Sequence, residues 1–233
     1  MKVVEIFKSI EGEGVRAGLP TTFIRLFGCN LNCTYCDTQY ACSEEAAIDK
    51  QCKDDSVWEK NAKNYKTMSI QQIIYKVLQL GVPSVTITGG EPMIHEGFIK
   101  LVDVLLLYGY HVNVETNGTV GVPRQYENEM SVFFTMDYKC PSSGVGKGYK
   151  TYSHQSLRAW DVLKFVVGSE EDLDKVVEVL DELDSDPIVY ISPVFGAIEP
   201  LAIVEYMQKH KLYNCRLQLQ LHKIIWDPNE RGV

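Results

Sequence analysis

Thr21-Thr-Phe-Ile-Arg-Leu-Phe-Gly-Cys-Asn-Leu-Asn-Cys-Thr-Tyr-Cys36 is the stretch from which the rest of the chain is read. Residues 21–27 are β-branched and aromatic, the make-up of a buried strand, and Gly28 ends it. Cys29 follows directly, and Cys33 and Cys36 complete a trio within eight residues. Thiols set at a strand end raise the question of what else lies at the ends of strands.

The same alternation repeats outward from this stretch. Ser69 caps an expected helix in which Ile70, Ile73, Ile74, Val77 and Leu78 fall at i, i+3, i+4, i+7 and i+8, stopped by Gly81 and Pro83. A short strand over 84–88 closes on Gly89-Gly90. A second helix carries Phe98, Leu101, Val102, Leu105 and Leu106 until Gly109, and a strand over 111–115 follows. Strands are expected at 132–136, 162–167, 188–192 and 216–221. Helices are expected through Leu173, Val176, Val177, Leu180 and Leu183, and around 201–207. Repeated strand-then-helix order implies an α/β fold with a parallel sheet and right-handed crossovers. A βα barrel, partial or complete, and an open doubly wound sheet both fit.

In either fold the strand ends share one edge, where ligands bind. Cys29 lies there, as do Gly89-Gly90-Glu91-Pro92, Glu115-Thr116-Asn117-Gly118 and Asp137-Tyr138-Lys139, although about 110 residues separate the first from the last. Two stretches break the rhythm. Residues 39–68 are polar and charged with little apolar anchorage beyond Trp58, so a surface insertion (about 39–67) in a single domain is expected. Residues 141–148 form a Gly- and Ser-rich loop.

The 233 residues are 45% hydrophobic and 23% charged, enough for a core without disulfides and unlike a disordered chain. With 23 Lys+Arg against 31 Asp+Glu the net charge is −8, which argues against nucleic-acid binding. No apolar run reaches a membrane-spanning length, and the charged start (Lys2, Glu5, Lys8) is no export signal, so a cytoplasmic protein is expected. Of the seven cysteines, Cys42, Cys52, Cys140 and Cys215 are scattered and given no role. The trio leaves three readings open. Three thiolates suit a four-iron cluster with one iron free for a non-protein ligand, structural zinc wants a fourth ligand, and the spacing could be coincidence.

The spacing Cys-x3-Cys-x2-Cys with Tyr35 before the last cysteine, together with Gly89-Gly90-Glu91-Pro92, resembles the radical S-adenosylmethionine (SAM) superfamily. Within it, Glu5-Ile-Phe-Lys-Ser-Ile-Glu-Gly-Glu-Gly14, Pro20-Thr-Thr-Phe-Ile-Arg25, Cys36-Asp37-Thr38, Glu115-Thr-Asn-Gly-Thr119, Gln220-Leu-His-Lys-Ile-Ile-Trp226 and Arg231-Gly-Val233 are similar to the 7-carboxy-7-deazaguanine synthase family. The resemblance covers nearly the whole chain except 39–68 and about 121–130. It implies an incomplete (βα)6-type barrel, a homodimer, and an electron donor such as flavodoxin or ferredoxin. The implied cofactors are a 4Fe-4S cluster, SAM and Mg2+. The implied reaction is ring contraction of 6-carboxy-5,6,7,8-tetrahydropterin to 7-carboxy-7-deazaguanine with loss of ammonia.

Carried over residue by residue, the resemblance gives Cys29, Cys33 and Cys36 to the cluster and Thr38 to Mg2+, with Asp37 beside it. Tyr35, Cys36, Asp37, Gly90, Asp137, Tyr138, Lys139 and Lys164 go to SAM. Ile10, Glu11, Gly12, Arg25, Thr88 and His222 go to the pterin substrate, and the carboxylate of Val233 is expected near the pocket. Asp137 and Tyr138 depart from the family's Ser-Pro at those positions, which leaves Lys139 the firmer match. Arg25 and Lys164 interrupt apolar strands, so each needs a partner under any reading; for Arg25 a substrate carboxylate is favoured over a structural salt bridge. Two rivals stand beside this reading: an activase of a glycyl-radical enzyme, which would carry a second cluster motif, and a non-enzymatic zinc module.

Overall fold

Two-residue periodicity sets the two faces of the sheet. Along β7 (Val162–Val167) Leu163, Phe165 and Val167 are fully buried in the apolar core, while Lys164 alternates with them onto the opposite face. The same split recurs in β4 (Ser84–Gly89), with Val85 and Ile87 against Thr86 and Thr88. It recurs in β5 (His111–Thr116), with Val112 and Val114 against Asn113 and Glu115, and in β6 (Val132–Tyr138), with Phe134 and Met136 against Thr135 and Asp137. The outer face is therefore apolar and covered by helices, and the inner face is polar. Lys164 and Arg25 interrupt apolar runs because they belong to that inner face.

These assignments come from a computed structural model that describes residues 1–43, 64–146, 149, 153–227 and 230–233. Among the described residues nine strands lie in the order β3-β1-β2-β4-β5-β6-β7-β8-β9, with β1 (Lys2–Ile10), β2 (Pro20–Leu26), β3 (Lys66–Thr67), β8 (Ile188–Pro193) and β9 (Cys215–Leu217). From β2 to β9 every pairing is parallel, while β1 is antiparallel to both β2 and β3. The parallel order runs in sequence without the reversal of a doubly wound sheet, so the wall is that of a barrel. Its edges, β3 and β9, do not pair with each other, and the barrel stays incomplete.

Helix α1 (Ile70–Leu80) starts in a complete capping box, Ser69 with Gln72, and stops at Gly81 with φ of 68°. Its buried stripe is Ile73, Ile74 and Val77; α2 (Phe98–Leu107) buries Phe98, Leu101, Val102 and Leu105. On the far side of the wall α3 (Glu170–Asp181) buries Leu173, Val176 and Val179, and α4 (Pro200–Lys209) buries Ile203 and Tyr206.

Four features differ from the sequence expectation. β1 was not expected, because its mixed residues (Lys2, Glu5, Lys8) give neither a clean alternation nor a continuous apolar run. The crossovers β5 to β6 and β6 to β7 hold only short 3-10 turns among the described residues. β9 has three residues rather than six, since beyond Leu217 the chain leaves the sheet to meet the turn after β1. Residues 44–63, the middle of the expected insertion and the seat of Cys52 and Trp58, lie outside the described residues, as do 147–148 of the Gly-rich loop. The roots of the insertion are not surface: Tyr40, Ala41 and Tyr65 join Val4 and Phe27 in a small second core.

Candidate active site

The turn between β1 and β2 does not lie at the cysteine edge. Ile10 pairs with Pro20, so residues 11–19 sit at the opposite end of the parallel strands, where they fold inward as a floor. Glu11 is buried and accepts from Thr86 Oγ1 at 2.5 Å. Glu13 takes the Lys164 ammonium in an ion pair and accepts from Gln220 Nε2 at 2.5 Å. The chain after β9 closes over this floor. Leu221 N–H donates to Gly12 O at 3.1 Å, and a β-carbon on Gly12 would stand 2.6 Å from His222 Nδ1. Ile10, Glu11, Gly12 and His222 therefore meet, although about 210 residues separate them.

The other end is built on the cysteine loop. A β-carbon on Gly90 would lie 2.1 Å from Gly28 O and 2.9 Å from Cys29 N, and Glu91 N–H donates to Gly28 O at 2.8 Å. The Gly89-Gly90 pair thus exists so that β4 can end against the backbone that carries Cys29. Glu91 is fully buried and ties this loop to the next, accepting from Asn117 N–H at 2.6 Å, Met93 N–H at 3.0 Å and Thr116 Oγ1 at 2.9 Å; burial pushes its carboxyl up to about 7. Asn117 Nδ2 reaches Asn30 Oδ1 at 2.9 Å and Cys29 Sγ at 3.8 Å. Thr34 Oγ1 donates to Ser142 O at 2.7 Å and Tyr35 OH to Val166 O at 3.3 Å. The cysteine loop is therefore anchored to strand-end segments around much of the barrel.

Charges of alternating sign join the two ends. Lys139 Nζ lies 3.2 Å from Asp137 Oδ2, Lys164 Nζ lies 3.1 Å from Asp137 Oδ1, and Lys164 continues to Glu13. Burial alone would raise the Asp137 carboxyl, but Lys139 and Lys164 outweigh it and hold it below the usual range. Lys164 is thus spoken for by two carboxylates, which is the partner its strand position demanded. The Tyr138 ring packs on Phe165 (centroids 5.3 Å) and His154 on the outer face, which leaves its main chain to face the site.

Arg25 has the salt bridge that the sequence reading disfavoured. Its Nε donates to Glu5 Oε1 at 2.6 Å across the β1–β2 register, and Tyr40 OH donates to the same oxygen at 3.0 Å. Arg231 stacks over the Tyr40 ring at 3.8 Å, which brings the C-terminal residues to this corner. Thr88 Oγ1 donates to Glu115 Oε2 at 2.5 Å, and Thr38 Oγ1 donates to Asp37 Oδ1 at 2.9 Å, with Lys223 Nζ 3.9 Å from Asp37. Glu5, Glu13, Glu115 and Asn117 escaped the site assignment. Two stretches hold the signal for all four: residues 5–14 contain Glu5 and Glu13, and residues 115–119 contain Glu115 and Asn117.

Burial pushes Glu11 up to about 8, with Glu115 adding repulsion, and burial also raises Glu115. Such a carboxyl holds its proton in the folded state, so its stabilisation is present below about 4.5 and is lost as pH rises through about 8. Glu11→Gln, which cannot ionise, is expected to melt higher than wild type at pH 8.5 by at least about 2–4 °C, an effect of about 1 kcal/mol or more, with the gap closing toward pH 5. A gap that stays constant across that range in thermal melts of the cluster-free protein would count against a neutral Glu11.

Among the described residues no three His, Cys, Asp or Glu donors converge on one point as a single ion requires. The thiolates of a four-iron cluster each hold a different iron and stand apart, so half-buried Cys29, Cys33 and Cys36 in one anchored loop fit a cluster better than zinc. A hydrogen bond with Cys42 draws the Cys29 thiol down to about 6, and its thiolate is the form an iron binds. On the inner face Ser192 Oγ, Gln218 Oε1 and Arg16 Nη2 are buried without a hydrogen-bond partner among the described residues, polar atoms suited to a polar ligand.

Residues 23–130 match the model of the radical SAM superfamily. Over its whole length the chain is 43% identical to a 7-carboxy-7-deazaguanine synthase of Clostridium acetobutylicum, covering 99% of that protein. It is 36% identical to the synthase of Methanospirillum hungatei, over 98% of this chain and 86% of that one. Among solved structures, QueE from Escherichia coli superimposes with a TM-score of 0.70 at 25% identity, covering 94% of this chain and 93% of that one. SuiB from Streptococcus suis shares the fold at a TM-score of 0.52 and 12% identity.

Proposed function

The chain belongs to the 7-carboxy-7-deazaguanine synthase family of radical SAM enzymes, and from that premise we propose how its inner face divides the work. The enzyme contracts 6-carboxy-5,6,7,8-tetrahydropterin to 7-carboxy-7-deazaguanine with release of ammonia. Its cofactors are a 4Fe-4S cluster and SAM, which together supply the 5′-deoxyadenosyl radical that starts the reaction.

Cys29, Cys33 and Cys36 hold the cluster. Gly90 main chain, Tyr35, Asp37, Lys139 and the inner carboxylate of Asp137 bind SAM beside it. Lys164 acts as the tie between Asp137 and the Glu13 floor. The pterin lies below, between floor and cluster. Arg25, with Nε fixed by Glu5, offers its terminal nitrogens to the substrate carboxylate. Glu11 and Glu115, deprived of water, accept from the donor edge of the pterin, and Thr88 and His222 flank it. Thr38, beside Asp37, would hold Mg2+, which takes few protein ligands and oxygen donors only and would supply positive charge to the substrate carboxylate. We further read the chain as one domain that acts as a cytoplasmic homodimer and takes electrons from a flavodoxin or ferredoxin. Among the described residues no helix is long and apolar enough to cross a membrane.

One observation carries this reading: the cysteine loop is packed backbone to backbone on Gly89-Gly90, directly above inner-face residues Arg25, Thr88 and Glu115. Anaerobically reconstituted protein given SAM, dithionite, Mg2+ and the carboxytetrahydropterin is expected to yield 7-carboxy-7-deazaguanine by mass spectrometry. Accumulation of 5′-deoxyadenosine without that product would leave the radical chemistry and remove the substrate.

A further inference from the structure

Cys42 lies six residues beyond the trio, and nothing in the reaction described above uses it. Its place is fixed by main chain rather than by sulfur. Ala41 N–H donates to Thr38 O and Cys42 N–H to Gln39 O, both at 2.9 Å, which closes a short turn. That turn is fastened to the strand end that carries the trio: Gly28 N–H donates to Ala41 O at 2.8 Å and Cys29 N–H to Cys42 O at 3.3 Å. Ala41 is fully buried, and Tyr40 is held by Glu5 at 3.0 Å. Cys42 therefore stays beside the cysteine loop whatever that loop holds. Its Sγ lies 3.9 Å from Cys36 Sγ and 3.5 Å from Thr38 O.

We propose that Cys42 is a positioning residue whose S–H turns from Thr38 O to donate to the ligand sulfur of Cys36 and so raises the reduction potential of the cluster. The inference rests on the assignment of the cluster to the trio. An iron-bound thiolate sulfur is an acceptor only, so a neighbouring thiol can interact with it favourably only as donor. Reduction adds negative charge that spreads onto the ligand sulfurs, and a donor aimed at them stabilises the reduced form more than the oxidised one. Cys42 is not a fourth ligand in this account, because the fourth iron must stay open for SAM.

The test compares wild type, Cys42→Ala and Cys42→Ser, each reconstituted anaerobically and titrated with dithionite while the reduced cluster is followed by electron paramagnetic resonance. Both variants should hold as much iron as wild type and keep the change of signal that SAM induces. The midpoint potential of Cys42→Ala should move negative, and Cys42→Ser, a donor on a shorter arm, should fall between. An unchanged or more positive midpoint in loaded Cys42→Ala overturns the proposal. Iron lost from both variants makes Cys42 a ligand and overturns it too. Wild type that lacks the SAM-induced change defeats the assignment of the cluster to the trio, and the proposal with it.

Discussion

Gly90→Ala is expected to lower turnover by at least about 100-fold, the penalty for misplacing a reacting centre by about 1 Å, while costing only about 1–3 kcal/mol of stability as a local overpacking. The contrast follows from what the new methyl would meet. Its carbon would lie 2.1 Å from Gly28 O, 2.4 Å from Gly28 C and 2.9 Å from Cys29 N, all backbone, so no side chain can swing aside. Either the end of β4 moves away from β2, or the cysteine loop moves with Cys29. Both separate the SAM-facing loop from the cluster ligands, and the bond from Gly90 N–H to Leu26 O (3.0 Å) resists the first. The sheet below, paired from Thr22↔Val85 to Leu26↔Gly89, keeps most of its register. Iron content, the SAM-induced resonance signal, turnover and the melting temperature should be read on the same preparation. A variant that turns over within a few-fold of wild type would sink the claim that this contact sets the distance between the two loops.

The contact also explains why the cysteine end of the site was legible in the sequence. Turn glycines, a cysteine cluster and strand-terminal polar motifs are local signals, and parallel topology alone brings them to one edge. The floor was not legible in the same way. Glu11, Gly12 and Glu13 lie at the wrong end of β2 for a strand-end argument, and they reach the site only because their turn folds inward. Arg25 shows how one omission propagates. A guanidinium in an apolar strand signals that a partner exists, but the partner is Glu5 on β1, a strand whose lysines and glutamate hide its period. With β1 missing, the substrate was the remaining candidate for a charge that a structural residue already meets in part. Lys164 is the same case at longer range, its partner Glu13 being 151 residues away. Tyr138 was recoverable. If Asp137 faces inward, period two alone sends the next side chain outward.

That the described residues of two crossovers form no α-helix leads to the second large effect. Where α1 to α4 would elsewhere cover a crossover with apolar surface, the β5-to-β6 and β6-to-β7 connections are tied by one buried ion pair. Asp161 is fully buried and uses both oxygens: Oδ1 accepts from Phe134 N–H at 2.9 Å and Arg158 Nη2 at 2.7 Å, Oδ2 from Arg158 N–H at 2.9 Å and Nε at 2.7 Å. Arg158 then donates onward to the carbonyls of Tyr126, Glu129 (3.2 Å) and Val132 (2.8 Å). Five backbone groups on three segments thus depend on two side chains. Asp161→Ala leaves a guanidinium only 8% exposed with no counter-charge and the Phe134 amide without its acceptor. Breaking one side of such a buried pair costs about 3–5 kcal/mol, and in a chain of this length that lowers the melting temperature by roughly 6–20 °C. The pair stands before the first residue of β7, at the opposite end from the cysteine loop, so cluster loading and turnover measured well below the melting point should stay within a few-fold of wild type. A loss smaller than about 2 °C, less than 1 kcal/mol here, would mean that these carbonyls and the arginine find water as readily as they find Asp161.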